Sequence, residues 1–298
     1  SKAFKLGALV MIILIVIVSY MKDTIKNSGD VSKKLDTTLL GIVYHENKYK
    51  TLKSWLNKQK TGVLITNPSV SFYFVEAYKK IRTKLEYKVK DKDIKVIIIS
   101  SVSENEGKST VAANIAISLA QKTSNKVLLI DGDIRKPSVH KLFKVRSYRN
   151  IGIEEYLSGK RGYEEVIIPS FINNLDLVTG KKGREDSTEL VSSEKMETLI
   201  KKSREKYDFV IIDSPPMSLL SDAEAMLPYC DGSIIVVKQS SSLAIDINDA
   251  IYDLGGQSGK LLGCIFNNAW SSNILTMTKS YGAYYYRDNN RINKEKLS

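Results

Sequence analysis

Between residues 95 and 267 the chain repeats one pattern: a short continuous apolar run, a polar break, then apolar positions at helical spacing. The runs are "KVIIIS" (95–100), "KVLLID" (126–131), "LDLVTG" (175–180), "DFVIID" (208–213), "SIIVVK" (233–238) and "LLGCIFN" (261–267). Uninterrupted apolar strands of this length belong to sheets buried on both faces, which are mainly parallel. The segments between them predict helices over 107–121, 189–207, 221–227 and 245–254. A further helix is predicted over 71–87, with Phe74, Ala77, Tyr78, Ile81 and Leu85 on one face. The expected class is α/β, a mainly parallel sheet with helices on both faces and ligands beyond the carboxyl ends of its strands.

The pattern is different before residue 95. "GALVMIILIVIVSYM", residues 7–21, is apolar and free of charge. As a helix it covers roughly 22 Å at ~1.5 Å per residue, short of a ~30 Å bilayer core. Adding residues 3–6, with Lys5 reaching back to the headgroups, closes most of the gap. A secretory signal is the competing reading, but no small-x-small cleavage site follows the run. Lys22, Lys26, Lys33 and Lys34 follow it instead, which puts that side in the cytoplasm. Residues 1–21 are thus expected as a transmembrane helix and 22–66 as a basic juxtamembrane connector with an apolar island at 38–43. Residues 67–270 form the main domain and 271–298 a tail. The first residue is Ser, which leaves an upstream segment open.

Composition narrows the partners. The net charge of +12 over 298 residues would suit nucleic acid, but the lysines gather after residue 21 and in the tail, without an Arg-rich helix or a stacking platform. A membrane surface accounts for them and no nucleic-acid partner is expected. Cys230 and Cys264 lie at or in predicted strands without metal-ligand spacing, which suits a reducing compartment.

The chemistry is carried by "SSVSENEGKST", residues 100–110, at the end of the first core strand. A Gly-Lys-Ser-Thr that opens a helix aims backbone N–H groups at whatever lies in the loop, and Lys108 adds charge for β- and γ-phosphates. Ser103, Glu104, Asn105, Glu106, Gly107, Lys108, Ser109 and Thr110 are the candidate nucleotide contacts, with Thr110 on the α-phosphate and Ser109 on Mg²⁺. The first glycine of the usual phosphate loop is replaced by Val102. Asn105 stands where a further glycine is common, and Asn tolerates left-handed backbone. Asp131 and Asp133 in "LLIDGDIR" and Asp213 in "VIIDSPP" end two other strands, where acidic groups face a metal–nucleotide. Together these predict a P-loop NTPase binding ATP and Mg²⁺. Asp131 is assigned as the base that orients an acceptor hydroxyl, and Asp133, Asp213 and Ser109 as metal-binding groups. Asn267 is either an adenine contact or a turn residue, and Arg135 either a phosphate contact or a surface salt bridge. His45 and His140 are read as surface or packing residues, and Trp55 and Trp270 as packing or interfacial ones.

"SENEGKST", "LLIDGDIRKP" and "VIIDSPP", with the tyrosine-rich tail "SYGAYYYRDNN", resemble the bacterial tyrosine kinases of capsule and exopolysaccharide synthesis over roughly residues 67–286. "LLGIVYH" and the apolar span look like the end of the Wzz-type chain-length-determinant region joined to such kinases. "DLVTGKKGREDSTELV" departs from the family in lacking a proline-rich run. The septum-site and partition ATPases share the sheet, but carry a lysine where this chain has Ser103. The alternative reading is accordingly a membrane-tethered ATPase or nucleotide-dependent scaffold. The resemblance implies that Tyr281, Tyr284, Tyr285 and Tyr286 are autophosphorylation sites, reached between subunits at the plasma membrane. It implies as partners the polysaccharide polymerase and export machinery and a cognate tyrosine phosphatase. Glu76, Lys79 and Arg82 in "EAYKKIR" stand where the family has E-x-x-R-x-x-R, the stripe that assembles a ring. Lys79 there replaces an arginine, and a solvated helix face is the plain alternative.

Overall fold

The computed structural model describes residues 4–5, 7–11, 22–47, 63–122, 124–145, 151–181, 183–184, 186–217, 221–256 and 261–270. Among the described residues no helix is long and apolar enough to cross a membrane. Most of the span expected at 1–21, Trp55, and all four tail tyrosines lie outside them.

The apolar runs form strands β2 (Val96–Ser101), β3 (Val127–Asp131), β5 (Leu175–Val178), β6 (Phe209–Asp213), β7 (Gly232–Lys238) and β8 (Leu261–Ala269). With β1 (Leu39–Tyr44) and β4 (Ile168–Pro169) they make one eight-stranded sheet in the order β1-β8-β7-β2-β6-β3-β5-β4. Every pairing is parallel except β4 with β5. Successive side chains of a strand point to opposite faces, and both faces are dry. Val96, Ile98, Leu128, Ile130, Val210 and Ile212 enter one core, and Ile97, Ile99, Val127, Leu129 and Ile211 the other.

The first core is covered by α1 (Ser28–Lys34), and the second by α2 (Phe72–Val89), α3 (Lys108–Ala120) and α4 (Val139–Leu142). Further along the chain α5 (Ile153–Leu157), α6 (Tyr163–Val166), α7 (Ser187–Val191), α8 (Glu194–Lys206), α9 (Ser221–Met226) and α10 (Ala244–Gly256) close over the first core. Helix α3 is buried on nearly all sides and carries Ala112, Ala113, Ala116 and Ala120. A helix apolar all round belongs in an interior, and alanines let its neighbours approach. The single helix expected over 189–207 is two, α7 and α8. Ser193 divides them: its Oγ accepts the Met196 N–H as the cap of α8.

The largest departure from the sequence reading is the segment taken as a connector. Residues 22–47 belong to the domain. Ile25 and Val31 are fully buried, and backbone bonds join Ser240 N to Ile25 O (2.9 Å) and Ala244 N to Asp23 O (2.8 Å). The apolar island becomes β1, pairing in parallel with β8. Gly41 lets α2 lie against it, since a Cβ at that position would stand 2.4 Å from Ile81 Cγ1.

Candidate active site

Strand β6 lies between β2 and β3, so the phosphate loop and two acidic strand ends come together. The β3–β6 register places Asp131 directly beside Asp213. Between β2 and α3 the loop turns through Asn105 (φ 61°) and Gly107 (φ 91°), both left-handed. Asn105 thus takes the conformation for which asparagine is suited. Gly107 is required twice over: its φ disfavours a side chain, and a Cβ would stand 2.3 Å from Asn267 Nδ2.

Glu106 braces the loop from inside. It is buried, its Oε2 accepts Val102 N (3.1 Å) and Ser103 N (3.3 Å), and its Oε1 accepts Ser242 Oγ (2.9 Å). Burial pushes its carboxyl above the usual range, against these donors. The Glu106 carbonyl accepts from Asn267 Nδ2 at 2.7 Å. Glu106, expected as a nucleotide contact, therefore directs its carboxylate into the protein. The Asn267 amide nitrogen holds the loop in place, a role that neither of its expected alternatives described.

Lys108 Nζ lies 2.9 Å from Asp133 Oδ2 and 3.6 Å from Asp213 Oδ1, with its side chain 10% exposed. Burial works against its charge, but Asp213 and Asp133 more than offset this and hold the ammonium above its ordinary pKa. Asp131 Oδ2 accepts Ser138 N (3.0 Å) and Val139 N (2.9 Å), while its buried Oδ1 has no partner. Neither Asp213 oxygen has a hydrogen-bonding partner. Burial, and then the neighbouring Asp213, push the Asp131 carboxyl well above the ordinary range. Asp213 is raised too, by burial against the pull of Lys108.

Beside these groups is a cavity of about 630 Å³, within the range of small-ligand sites. Glu104, Asn105, Gly107, Lys108, Ser109, Thr110 and Asp133 line it; Ser103, Glu106, Asp131, Asp213 and Asn267 do not. Arg135, Lys136 and Lys141 also line it, and Lys136 binds Glu104 at 2.6 Å. Sequence reasoning passed over these two lysines. The signal was the basic run directly after Asp133.

Orphaned carboxylate oxygens near a serine hydroxyl suit a hard cation. Among the described residues no group of acidic, His or Cys side chains could hold a metal on its own. Mg²⁺ fits that arrangement, because it is usually held by one or two carboxylates together with waters and substrate phosphates. On α2, Lys79 Nζ binds Glu76 Oε1 (2.7 Å) and Arg82 donates to the Ser118 carbonyl of α3 (2.7 Å).

A family model described as an AAA domain matches residues 94–252. Tyrosine-protein kinase YwqD of Bacillus subtilis is 35% identical over 214 residues, covering 72% of this chain and 87% of that protein. The chain belongs to the bacterial tyrosine-protein kinases. Tyrosine-protein kinase CpsD of Streptococcus agalactiae is 31% identical over 216 residues, 72% of this chain and 92% of its own. Among solved structures, the kinase domain of Escherichia coli tyrosine kinase ETK superposes with a TM-score of 0.67 at 27% identity, covering 78% of this chain and 91% of that one. The chimerical protein CapA2B2 gives 0.68 at 27%, covering 82% and 100%. The septum-site protein MinD of Pyrococcus horikoshii, solved with Mg-ADP, gives 0.52 at 27% and covers 58% of this chain and 70% of that one. The sheet shared with the septum-site ATPases is therefore real, and the kinase family is the one to which the chain belongs.

Proposed function

We propose that this kinase binds Mg·ATP in the cavity beside Lys108 and transfers the terminal phosphoryl group to its own tail tyrosines, Tyr281, Tyr284, Tyr285 and Tyr286, between subunits. The observation that carries this reading is the convergence of Lys108 with Asp131, Asp133 and Asp213 at the ends of neighbouring strands. A phenol with pKa ~10 is almost wholly protonated at neutral pH, so transfer gains from a carboxylate that receives its proton. Asp131, with one unpartnered oxygen and a raised affinity for protons, takes that role. Lys108 neutralises charge on the transferring group, and Thr110 and the N–H groups opening α3 hold the remaining phosphates. Ser109, Asp133 and Asp213 would hold Mg²⁺, which when bound supplies charge against the β- and γ-phosphate oxygens.

In the same reading the apolar stretch 7–21 anchors the kinase in the plasma membrane with its domain and tail in the cytoplasm. The helical, exposed side chains of Leu9, Val10 and Met11 support it. The enzyme acts in capsular or exopolysaccharide synthesis, alongside polymerase and export components and a phosphatase that resets the tail. Subunits meet in a ring through the Glu76, Lys79 and Arg82 stripe, where Arg82 would exchange its bond to Ser118 for a neighbour's carboxylate.

A mixing experiment tests transfer between subunits. Full-length Lys108→Met is incubated with Mg·ATP and an active chain whose four tail tyrosines are Phe. Phosphotyrosine on the tail of the Lys108→Met chain is expected. An unmodified tail in the mixture, while wild type modifies itself, would exclude transfer between subunits.

A further inference from the structure

Arg135 follows Asp133 by two residues and lines the nucleotide cavity, yet its guanidinium is held from behind by groups outside the phosphate-binding motifs. Its Nε donates to Asp222 Oδ2 at 3.1 Å and its Nη2 to Thr188 Oγ1 at 3.1 Å. Asp222 is 1% exposed and also accepts from Ser187 Oγ and Thr188 Oγ1. Burial would raise its carboxyl, but these three donors outweigh it and hold it low. The clamp is assembled from two short helices, α7 and α9, which pack against each other. Arg184 N bonds the Ile134 carbonyl at 3.2 Å, so the 183–184 strip lies along the chain that carries Arg135. At Gly183 a Cβ would stand 2.2 Å from the Arg135 carbonyl.

A buried carboxylate with three donors is a costly way to fix a side chain that only needs a surface ion pair. A pair at Arg135, whose side chain is 31% exposed, would contribute little were it merely superficial. The arrangement instead fixes the plane of the guanidinium. Two of its nitrogens are bound behind, while Nη1 has no partner among the described residues. The charge in the cavity asks for such a group. A nucleoside triphosphate brings about four negative charges to a place where Lys108 is already matched by Asp133 and Asp213 and Lys136 by Glu104, so the further cations on the cavity wall, Arg135 and Lys141, face that charge.

We propose that Arg135 contacts the terminal phosphate of the nucleotide, and that Asp222, with Thr188 and Ser187, is the positioning clamp that sets its guanidinium. This rests on the assignment of the cavity to Mg·ATP and deepens it. Arginine suits the task because its planar fork can serve two partners at once; lysine cannot.

The test is calorimetric titration of the full-length chain with AMP-PNP and with ADP, each in Mg²⁺. Arg135→Ala is expected to weaken AMP-PNP roughly tenfold or more while leaving ADP within about twofold, as befits loss of one charge-assisted bond to the phosphate that ADP lacks. Arg135→Lys should recover part of that loss. Asp222→Asn should lose AMP-PNP preference by an intermediate factor, and Thr188→Val, which removes a single arm, by a smaller one. Unchanged ADP binding reports that each variant is folded. Equal weakening of both nucleotides by Arg135→Ala, or no weakening of either, would overturn the proposal. Wild type that discriminates as expected but never phosphorylates tyrosine would remove the autokinase reading and leave the Arg135 contact standing.

Discussion

Two lysines in this kinase make ion pairs of nearly the same length, and they do different things. Lys79 binds Glu76 at 2.7 Å on the outer face of α2, with side chains 46% and 30% exposed. Lys108 binds Asp133 at 2.9 Å at the start of α3, with exposures of 10% and 8%. Distance does not separate them; water does. An exposed pair contributes about 0 to 1 kcal/mol, and α2 is held by Phe74, Tyr78, Ile81 and Leu85, each contributing about 1.5 to 3 kcal/mol through burial. Removing one partner from a buried pair leaves an uncompensated charge, which costs about 3 to 5 kcal/mol. At Lys108 the neighbouring carboxylates outnumber the cation, and the imbalance is what a metal–nucleotide would complete. One lysine is paired in water, the other among buried carboxylates.

Substitutions can break this contrast, beginning with the most severe. Lys108→Met should lower phosphate incorporation into tyrosine by roughly 10²–10³-fold or more. Its circular dichroism spectrum should match wild type, because Asp131 and Asp213 can take up protons when the ammonium is gone. Gly107→Ala combines a left-handed φ with a clash against Asn267. It should destabilise the domain by about 1 to 3 kcal/mol in urea unfolding, and adding Asn267→Ala, which relieves the clash but removes the bond to the Glu106 carbonyl, should not restore wild-type stability.

Glu106→Gln sharpens the comparison through pH. The folded protein holds the Glu106 proton to higher pH than the unfolded chain, whose glutamate titrates near about 4.3. That contribution is present below the unfolded value and lost as pH rises through the folded one. Wild type should therefore lose stability relative to Glu106→Gln on going from pH 4 toward neutrality, read as the difference in urea midpoints. Lys79→Ala should have the smallest effect, within about 0.5 kcal/mol in stability. If the α2 stripe joins subunits, sizing of this variant should show weaker association with an unchanged unfolding curve.

The strands that carry the chemistry were legible because each is a short apolar run ending in a polar residue. Lys108, Asp131, Asp133 and Asp213 could be named from local pattern alone. What placed them together, β6 inserting between β2 and β3, is a pairing between residues about a hundred positions apart, and no local periodicity encodes it. For the same reason "LLGIVY" read as an island in a connector: its partner β8 lies more than two hundred residues away. Glu106 and Asn267 could be named as candidate nucleotide contacts, but their bracing roles, like the Asp222 clamp, escaped notice because they depend on which way a side chain points. In sequence, Glu106 is one more polar loop residue; in the fold it is buried and braces the turn.

The most direct test incubates the purified full-length chain with Mg·ATP and maps modified residues by mass spectrometry, beside Lys108→Met. The account predicts phosphate on Tyr281, Tyr284, Tyr285 or Tyr286 in the first sample and none in the second. Nucleotide binding without any phosphotyrosine, or equal modification of both chains, would contradict it.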